Sequence, residues 1–245
     1  MMNEIFWEIH RDLLRESPGG DEYTRQGFRM LPSLSQRKIL DIGCGPGSST
    51  LELARLTDGE ITAIDIHQPY LDSLKQKAIA EGFGERITCL NQSMSSLNFP
   101  PSSFDIIWAE GSIYVMGFET GLKQLKSYLK SGGYMMVSEL VWLRDNPPSE
   151  VYDFWQADYP AMKNLWELSE IIANCGYEII NQFTLPERGW LNYYNPLEER
   201  INHLYRIYQD NQEGLKILDM EKREVEIYRE YHEWYGYEFF ILHNP

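Results

Sequence analysis

Asp41-Ile42-Gly43-Cys44-Gly45-Pro46-Gly47-Ser48 joins a short apolar stretch, residues 38–42, to a segment carrying Leu51, Leu53, Ala54 and Leu56. The pattern is strand, tight turn, helix. Glycines at such a junction let the main chain turn sharply and let a ligand approach the backbone. In an open α/β sheet that ligand lies in the crevice at the carboxyl ends of the strands. Working outward, the alternation repeats: strand-like 61–66, helix 68–81, strands 87–90 and 104–108, helix 118–130, strand 133–142. Strands alternating with helices predict a mostly parallel sheet covered on both faces. Upstream, Ile5, Ile9 and Leu13 predict an amphipathic helix over 4–16, stopped by Ser17-Pro18-Gly19-Gly20, with a second helix over 21–31. Beyond the break at Asn146-Pro147-Pro148-Ser149 come an aromatic-rich helix, a helix over 164–175 and a strand over 177–185. Helices over 196–210 and 213–234 and a terminal strand over 237–242 complete the chain, with Ile201, Leu204, Tyr205 and Tyr208 on one helix face.

The chain has 245 residues, with 22 Lys+Arg against 37 Asp+Glu and a formal charge of -15. That length supports one large core, and the chain reads as one domain, 1–245, with helical additions. An aromatic content of 13% argues against a disordered acidic chain. With no basic field to displace counterions from phosphates, a nucleic-acid partner is not expected. Cys44, Cys89 and Cys175 show neither disulfide nor zinc spacing, and His10, His67, His203 and His232 show no ligand spacing, so no metal is expected. The start, Met1 to Glu8, lacks a basic stretch followed by an apolar core. No apolar run approaches the roughly 18–20 residues of a membrane helix. The expectation is a reduced, soluble, cytoplasmic protein without a membrane partner, with room for a homo-oligomer through the added helices.

Asp65 closes the second strand, 22 residues beyond Gly43. A carboxylate there can accept hydrogen bonds from both ribose hydroxyls of a nucleoside cofactor. A dinucleotide fingerprint wants G-x-G-x-x-G, but Ser48 holds the third glycine position. A pyrophosphate has little use for Asp41 just before the turn. An acid there suits a cofactor with a cationic end, such as S-adenosylmethionine, which carries a sulfonium, an ammonium and no phosphate. A nicotinamide-dependent (NAD) oxidoreductase and a non-catalytic S-adenosylmethionine-binding module are the alternatives.

Together, Asp41 to Gly47 and Asp65 resemble the first two motifs of class I S-adenosylmethionine-dependent methyltransferases, of the small-molecule, ubiquinone/menaquinone-biosynthesis type. Asn91-Gln92-Ser93-Met94, the run Phe104 to Gly111 and Tyr128-Leu129-Lys130-Ser131-Gly132-Gly133 resemble their later motifs, the last with Ser131 where proline is frequent. The resemblance covers roughly 35–142. It implies a Rossmann-like seven-stranded sheet of order 3-2-1-4-5-7-6, with the last strand antiparallel. It also implies N-terminal helices over 1–34, a cofactor-binding core over 35–142, and a helical lid from 143–163 and 186–234. By the same resemblance Gly43, Gly45 and Gly47 wrap the methionine end, Asp41 helps hold the ammonium and Asp65 binds the ribose. Ile66 and Met94 sandwich the adenine, and Ser93 or Met94 meets its polar edge. Glu110 faces the methionine end and the acceptor, and the segment near Tyr23-Thr24 closes over the cofactor.

Methyl transfer from a sulfonium is an in-line displacement in which the protein mainly supplies alignment. A base is needed only where the acceptor must lose a proton. Glu110 and His203 are the candidate bases and Tyr114 a candidate positioning hydroxyl, with a small molecule as acceptor.

Overall fold

The computed structural model describes residues 4–32 and 37–245, so the expectations for Met1 to Asn3 and for the 34/35 boundary lie outside the described residues. The chain opens with two helices, α1 (Glu4–His10) and α2 (Asp21–Arg29). Alternation then follows: β1 (Lys38–Ile42), α3 (Ser48–Leu56), β2 (Glu60–Asp65), α4 (Gln68–Ala80), β3 (Ile87–Asn91), β4 (Phe104–Ala109), α5 (Phe118–Lys126) and β5 (Leu129–Trp142). The rest is α6 (Ser149–Asp158), β6 (Lys163–Asn164), α7 (Leu165–Asn174), β7 (Glu178–Thr184), α8 (Glu187–Ile207), α9 (Gln212–Tyr231) and β8 (Tyr235–Asn244).

The sheet runs β3-β2-β1-β4-β5-β8-β7. β8 is antiparallel to both neighbours, and the other paired strands are parallel. This is the expected order with one addition, the two-residue β6 paired to the end of β5. Asn164 in β6 also starts α7: its side chain accepts from Glu167 N–H while the Glu167 carboxylate accepts from Asn164 N–H, both at 3.1 Å. That reciprocal cap turns the chain out of the sheet.

Strands buried on both faces need apolar residues at successive positions; Ile39, Leu40 and Ile42 of β1 are fully buried. One face packs on α3, α4, α6, α8 and α9, the other on α5 and α7. Among the described residues no helix is long and apolar enough to cross a membrane.

Three local expectations are corrected. α1 stops at His10 rather than at residue 16, because Asp12 takes a left-handed φ of 67° and the chain turns away from the apolar stripe. α8 begins at Glu187, nine residues earlier than expected, and runs through Pro196. The proline forgoes one hydrogen bond, yet Trp190, Tyr194, Leu197 and Ile201 are buried along the same helix and hold it. His203, expected near the substrate, is exposed. Buried Ile201 and Leu204 fix the inward face, and at about 100° per residue position 203 falls on the other side.

Candidate active site

The turn after β1 is built on left-handed backbone: φ is 66° at Gly43, 53° at Gly45 and 92° at Gly47. A Cβ on Gly43 would also stand 2.7 Å from the Ser112 Cβ and 3.2 Å from the Met94 Cε. The Ser112 hydroxyl donates to the Ile42 carbonyl at 2.6 Å and Cys44 N–H to the Ile64 carbonyl at 3.0 Å, so the loop is tied to the strand ends around it. Asp65 completes the tie, accepting Gly45 N–H at 2.9 Å on one oxygen and His67 N–H at 2.8 Å on the other.

Above this loop opens a cavity of about 510 Å³. Gly43, Gly45, Asp65, Ile66, Ser93, Met94 and Tyr114 all line it. Ile66 is 65% exposed, an apolar side chain free to receive the face of a flat ligand. Ser93 accepts Ser95 N–H and opens the short 3-10 turn at Met94.

The remaining candidates lie elsewhere. Gly47 packs against α4, where a Cβ would stand 2.4 Å from the Leu74 Cδ1. Asp41 is 1% exposed beneath the loop and accepts the Thr50 hydroxyl at 2.6 Å. Burial above all, with Glu110 and Asp65 nearby, pushes its pKa up to about 7 against the pull of Thr50. Glu110 lines a small recess of about 40 Å³ on the Ser48 side of the loop. It accepts Arg15 Nη1 at 2.7 Å, the Thr24 hydroxyl at 2.8 Å and Trp108 Nε1 at 3.1 Å. With those three donors placed, Glu110 is an anchor for the N-terminal segment. Burial, then Glu224 and Asp158, pushes Tyr114 up to about 12, so at neutral pH it is a hydrogen-bond donor rather than a base.

Several cavity-lining residues escape sequence reasoning. α1 brings Phe6, Trp7 and His10 to the cavity, and the turn after it brings Glu16. Trp7 stacks on His67, ring centroids 3.7 Å apart, joining α1 to the core. The His10 Nδ1 lies 3.0 Å from Glu16 and Nε2 3.6 Å from Glu221, near enough for ion pairing though out of line for hydrogen bonds. Burial works to lower the His10 pKa, but the two carboxylates outweigh it and raise it to about 9. α9 supplies Glu224, which accepts the Tyr194 hydroxyl at 2.9 Å and is raised by burial to about 7. The neighbours along α1 and α9 signal an apolar stripe; nothing in their spacing signals a shared cavity.

The residues fit a nucleoside cofactor with a cationic end. The loop offers open backbone, Asp65 a carboxylate, Ile66 and Met94 apolar faces, and among the described residues the lining holds no Lys or Arg to meet a pyrophosphate. Among the described residues no group of three or more His, Cys, Asp or Glu could hold a metal ion.

Comparison with known proteins agrees. Residues 39–133 match the family model of a methyltransferase domain. A sterol 24-C-methyltransferase, erg6 of Aspergillus fumigatus, is 25% identical over 178 residues, covering 68% of this chain and 47% of that protein. The O-methyltransferase cnsE of Penicillium expansum is 26% identical over 179 residues, covering 72% of this chain and 64% of that one. The chain thus spans only part of the length of these curated relatives. A S-adenosylmethionine-dependent methyltransferase from Geobacter sulfurreducens, solved with S-adenosylhomocysteine, shares the fold at a TM-score of 0.87 with 20% identity, covering 100% of this chain and 99% of that one. Residues 39–133 thus match a methyltransferase domain, carried on a sheet whose fold is shared with that solved methyltransferase.

Proposed function

We propose that this chain transfers a methyl group from S-adenosylmethionine to a small-molecule acceptor. The observation that carries the proposal is the left-handed glycine loop tied to Asp65 at the floor of a cavity lined, among the described residues, by no Lys or Arg. The cofactor, when bound, supplies a methyl group already activated by its sulfonium. The chain supplies position. Gly43 and Gly45 admit the methionine end to the backbone, Asp65 orients the ribose, and Ile66 and Met94 hold the adenine between them, with Ser93 at its edge. Tyr114 donates a hydrogen bond toward the acceptor. Glu110 acts indirectly, seating Arg15 so that Glu16 and Ser17 wall the cavity. Helical additions over 143–163 and 186–234 form the lid, since Trp155, Trp190, Tyr193 and Glu224 from them line the cavity. As part of the same proposal the protein works in the cytoplasm, where a reducing environment keeps Cys44, Cys89 and Cys175 as the free thiols seen here.

Calorimetry with S-adenosylhomocysteine tests the proposal. Asp65→Ala is expected to weaken binding by about tenfold to a hundredfold, because it removes charge-assisted hydrogen bonds worth roughly 1.5–3 kcal/mol and frees the Gly45 amide. An unchanged affinity in that variant would remove Asp65 from the site. Thermal stabilisation by NADH but not by S-adenosylhomocysteine would favour the oxidoreductase alternative. Binding without transfer of labelled methyl to any component of a metabolite extract would favour the non-catalytic module.

A further inference from the structure

The part of the cavity walled by α6, α8 and α9 combines aromatic faces with carboxylates. Trp155, Tyr159, Trp190 and Tyr193 supply rings, and Asp158, Glu221 and Glu224 supply acids. Among the described residues that line the cavity, five carboxylates (Glu16, Asp65, Asp158, Glu221, Glu224) face a single basic side chain, His10. Asp65 is occupied by two backbone amides. The single positive charge of the His10 imidazolium is shared between Glu16 and Glu221. Two carboxylates are left. Glu224 has only the neutral Tyr194 hydroxyl as a hydrogen-bond partner, with the His10 charge at longer range, and Asp158 has no hydrogen bond or ion pair among the described residues.

A second feature of the wall is independent of these. Glu139 on β5 is 1% exposed. It accepts the hydroxyl of cavity-lining Tyr159 at 2.6 Å through Oε1, while Oε2 has no partner. The aromatic wall is therefore backed by a further carboxyl with one oxygen unpartnered.

Negative charge on the part-buried Glu224, set among aromatic rings, is costly unless an occupant neutralises it, and the exposed Asp158 adds to the negative field at the same wall. A phosphate or carboxylate substrate would add to the repulsion, and a neutral one would leave the carboxylates unanswered. A cation answers them and gains ring-face attraction as well. We propose that the methyl acceptor is a small organic amine, recruited as its ammonium form with the charge received by Glu224 and Asp158 and its apolar body against Trp155, Tyr159 and Tyr193. Before transfer the ammonium passes one proton to the Glu224 carboxylate; the freed nitrogen lone pair then forms the new N–C bond as the methyl's bond to the cofactor's sulfur breaks, so the positive charge moves from sulfur to nitrogen and a neutral thioether leaves. The inference rests on the methyltransferase proposal above and specifies its substrate class.

The test uses the full chain saturated with S-adenosylhomocysteine, screened by thermal shift and then calorimetry at pH 8. The probes are matched amine, alcohol and carboxylate triplets on common alkyl, phenyl and indolyl bodies. Amines are expected to bind at least about tenfold tighter than their alcohols, the scale of one charge-assisted hydrogen bond, with the carboxylates weakest. Glu224→Gln is expected to erase that preference. Asp158→Asn, at an exposed position where folding is not at stake, is expected to lower amine affinity several-fold and leave alcohol affinity alone. The proposal is overturned if alcohols or carboxylates match the amines, if no amine binds the complex, or if neither variant reduces the preference. Failure of S-adenosylhomocysteine itself to bind is a separate result: it removes the underlying methyltransferase proposal and this inference with it.

Discussion

Glu110→Ala is expected to lower the melting temperature by roughly 10 °C and to weaken S-adenosylhomocysteine binding at the same time. The carboxylate is almost fully buried, 2% exposed, and faces the Arg15 guanidinium, itself only 10% exposed. Removing one member of a buried pair costs about 3–5 kcal/mol, because the other charge stays buried without its partner. Here the loss extends further, since the Thr24 hydroxyl and the Trp108 indole N–H lose their acceptor too. Arg15 keeps weaker contacts of 3.3 Å to Asp21 and Thr24, which place the cost toward the lower end. In a chain of this size each kcal/mol shifts the melting temperature by about 2–4 °C. The link to binding is geometric: Arg15 precedes Glu16 and Ser17, and both line the cavity. Differential scanning calorimetry and a binding titration on the same variant check the two effects together. A variant with unchanged melting temperature that binds cofactor yet transfers no methyl would return Glu110 to the role of base.

Stability is expected to be greatest near pH 5 and to fall steadily toward pH 9, with a melting temperature lower by on the order of 10 °C at the alkaline end. Burial raises Asp41 from 3.8 to about 7, Glu139 from 4.5 to about 8 and Glu224 from 4.5 to about 7. Between the unfolded and folded values the native chain holds protons that the unfolded chain has released. Each such proton gives stability a downward slope of about 1.4 kcal/mol per pH unit. His10 has the same sign for the opposite reason. Its native pKa of about 9 exceeds the unfolded 6.5, so its contribution is complete below 6.5 and vanishes as pH rises through 9. Asp105 is held below its ordinary value: burial works to raise it, but Lys130 and the Lys38 amide outweigh that, so its contribution is lost only in stronger acid, outside the window. Thermal denaturation from pH 5 to 9 measures the slope. Glu139→Gln is expected to flatten it and to raise the melting temperature at pH 9, and a profile that is level or climbs with pH would contradict the buried, protonated carboxyls.

The sheet was legible because its information is local. Apolar stretches such as 104–108, separated by helical spacings, dictate parallel strands, and the positive-φ turn at Gly43 to Gly47 announces itself by composition. Asp65 was legible through its distance from that turn. The N-terminal helix was overextended because Ile5, Ile9 and Leu13 keep period through a point where Asp12 reverses the backbone. Pro196 concealed the first nine residues of α8, whose helicity depends on burying Trp190 and Tyr194 rather than on local preference. His203 is a different case, since the period that placed Ile201 and Leu204 inward already sent it outward. The cavity wall beyond the glycine loop was illegible in principle. His10, Glu16, Asp158 and Glu224 come from segments scattered along the whole chain, and only tertiary packing assembles them.

The docking of α1 has a further consequence for how the molecule matures. Arg200 donates to the Glu8 carbonyl across 192 residues of sequence, and the Tyr208 hydroxyl donates to the Glu8 carboxylate across 200. Closing so long a loop costs entropy before any contact repays it, so such pairings are late events. On a ribosome, α1 can therefore stack on His67 early, but its contacts to α8 wait until that helix has followed. The glycine-loop side of the crevice takes shape while the chain is still growing, and the side walled by α1, α8 and α9 is finished only when those helices meet.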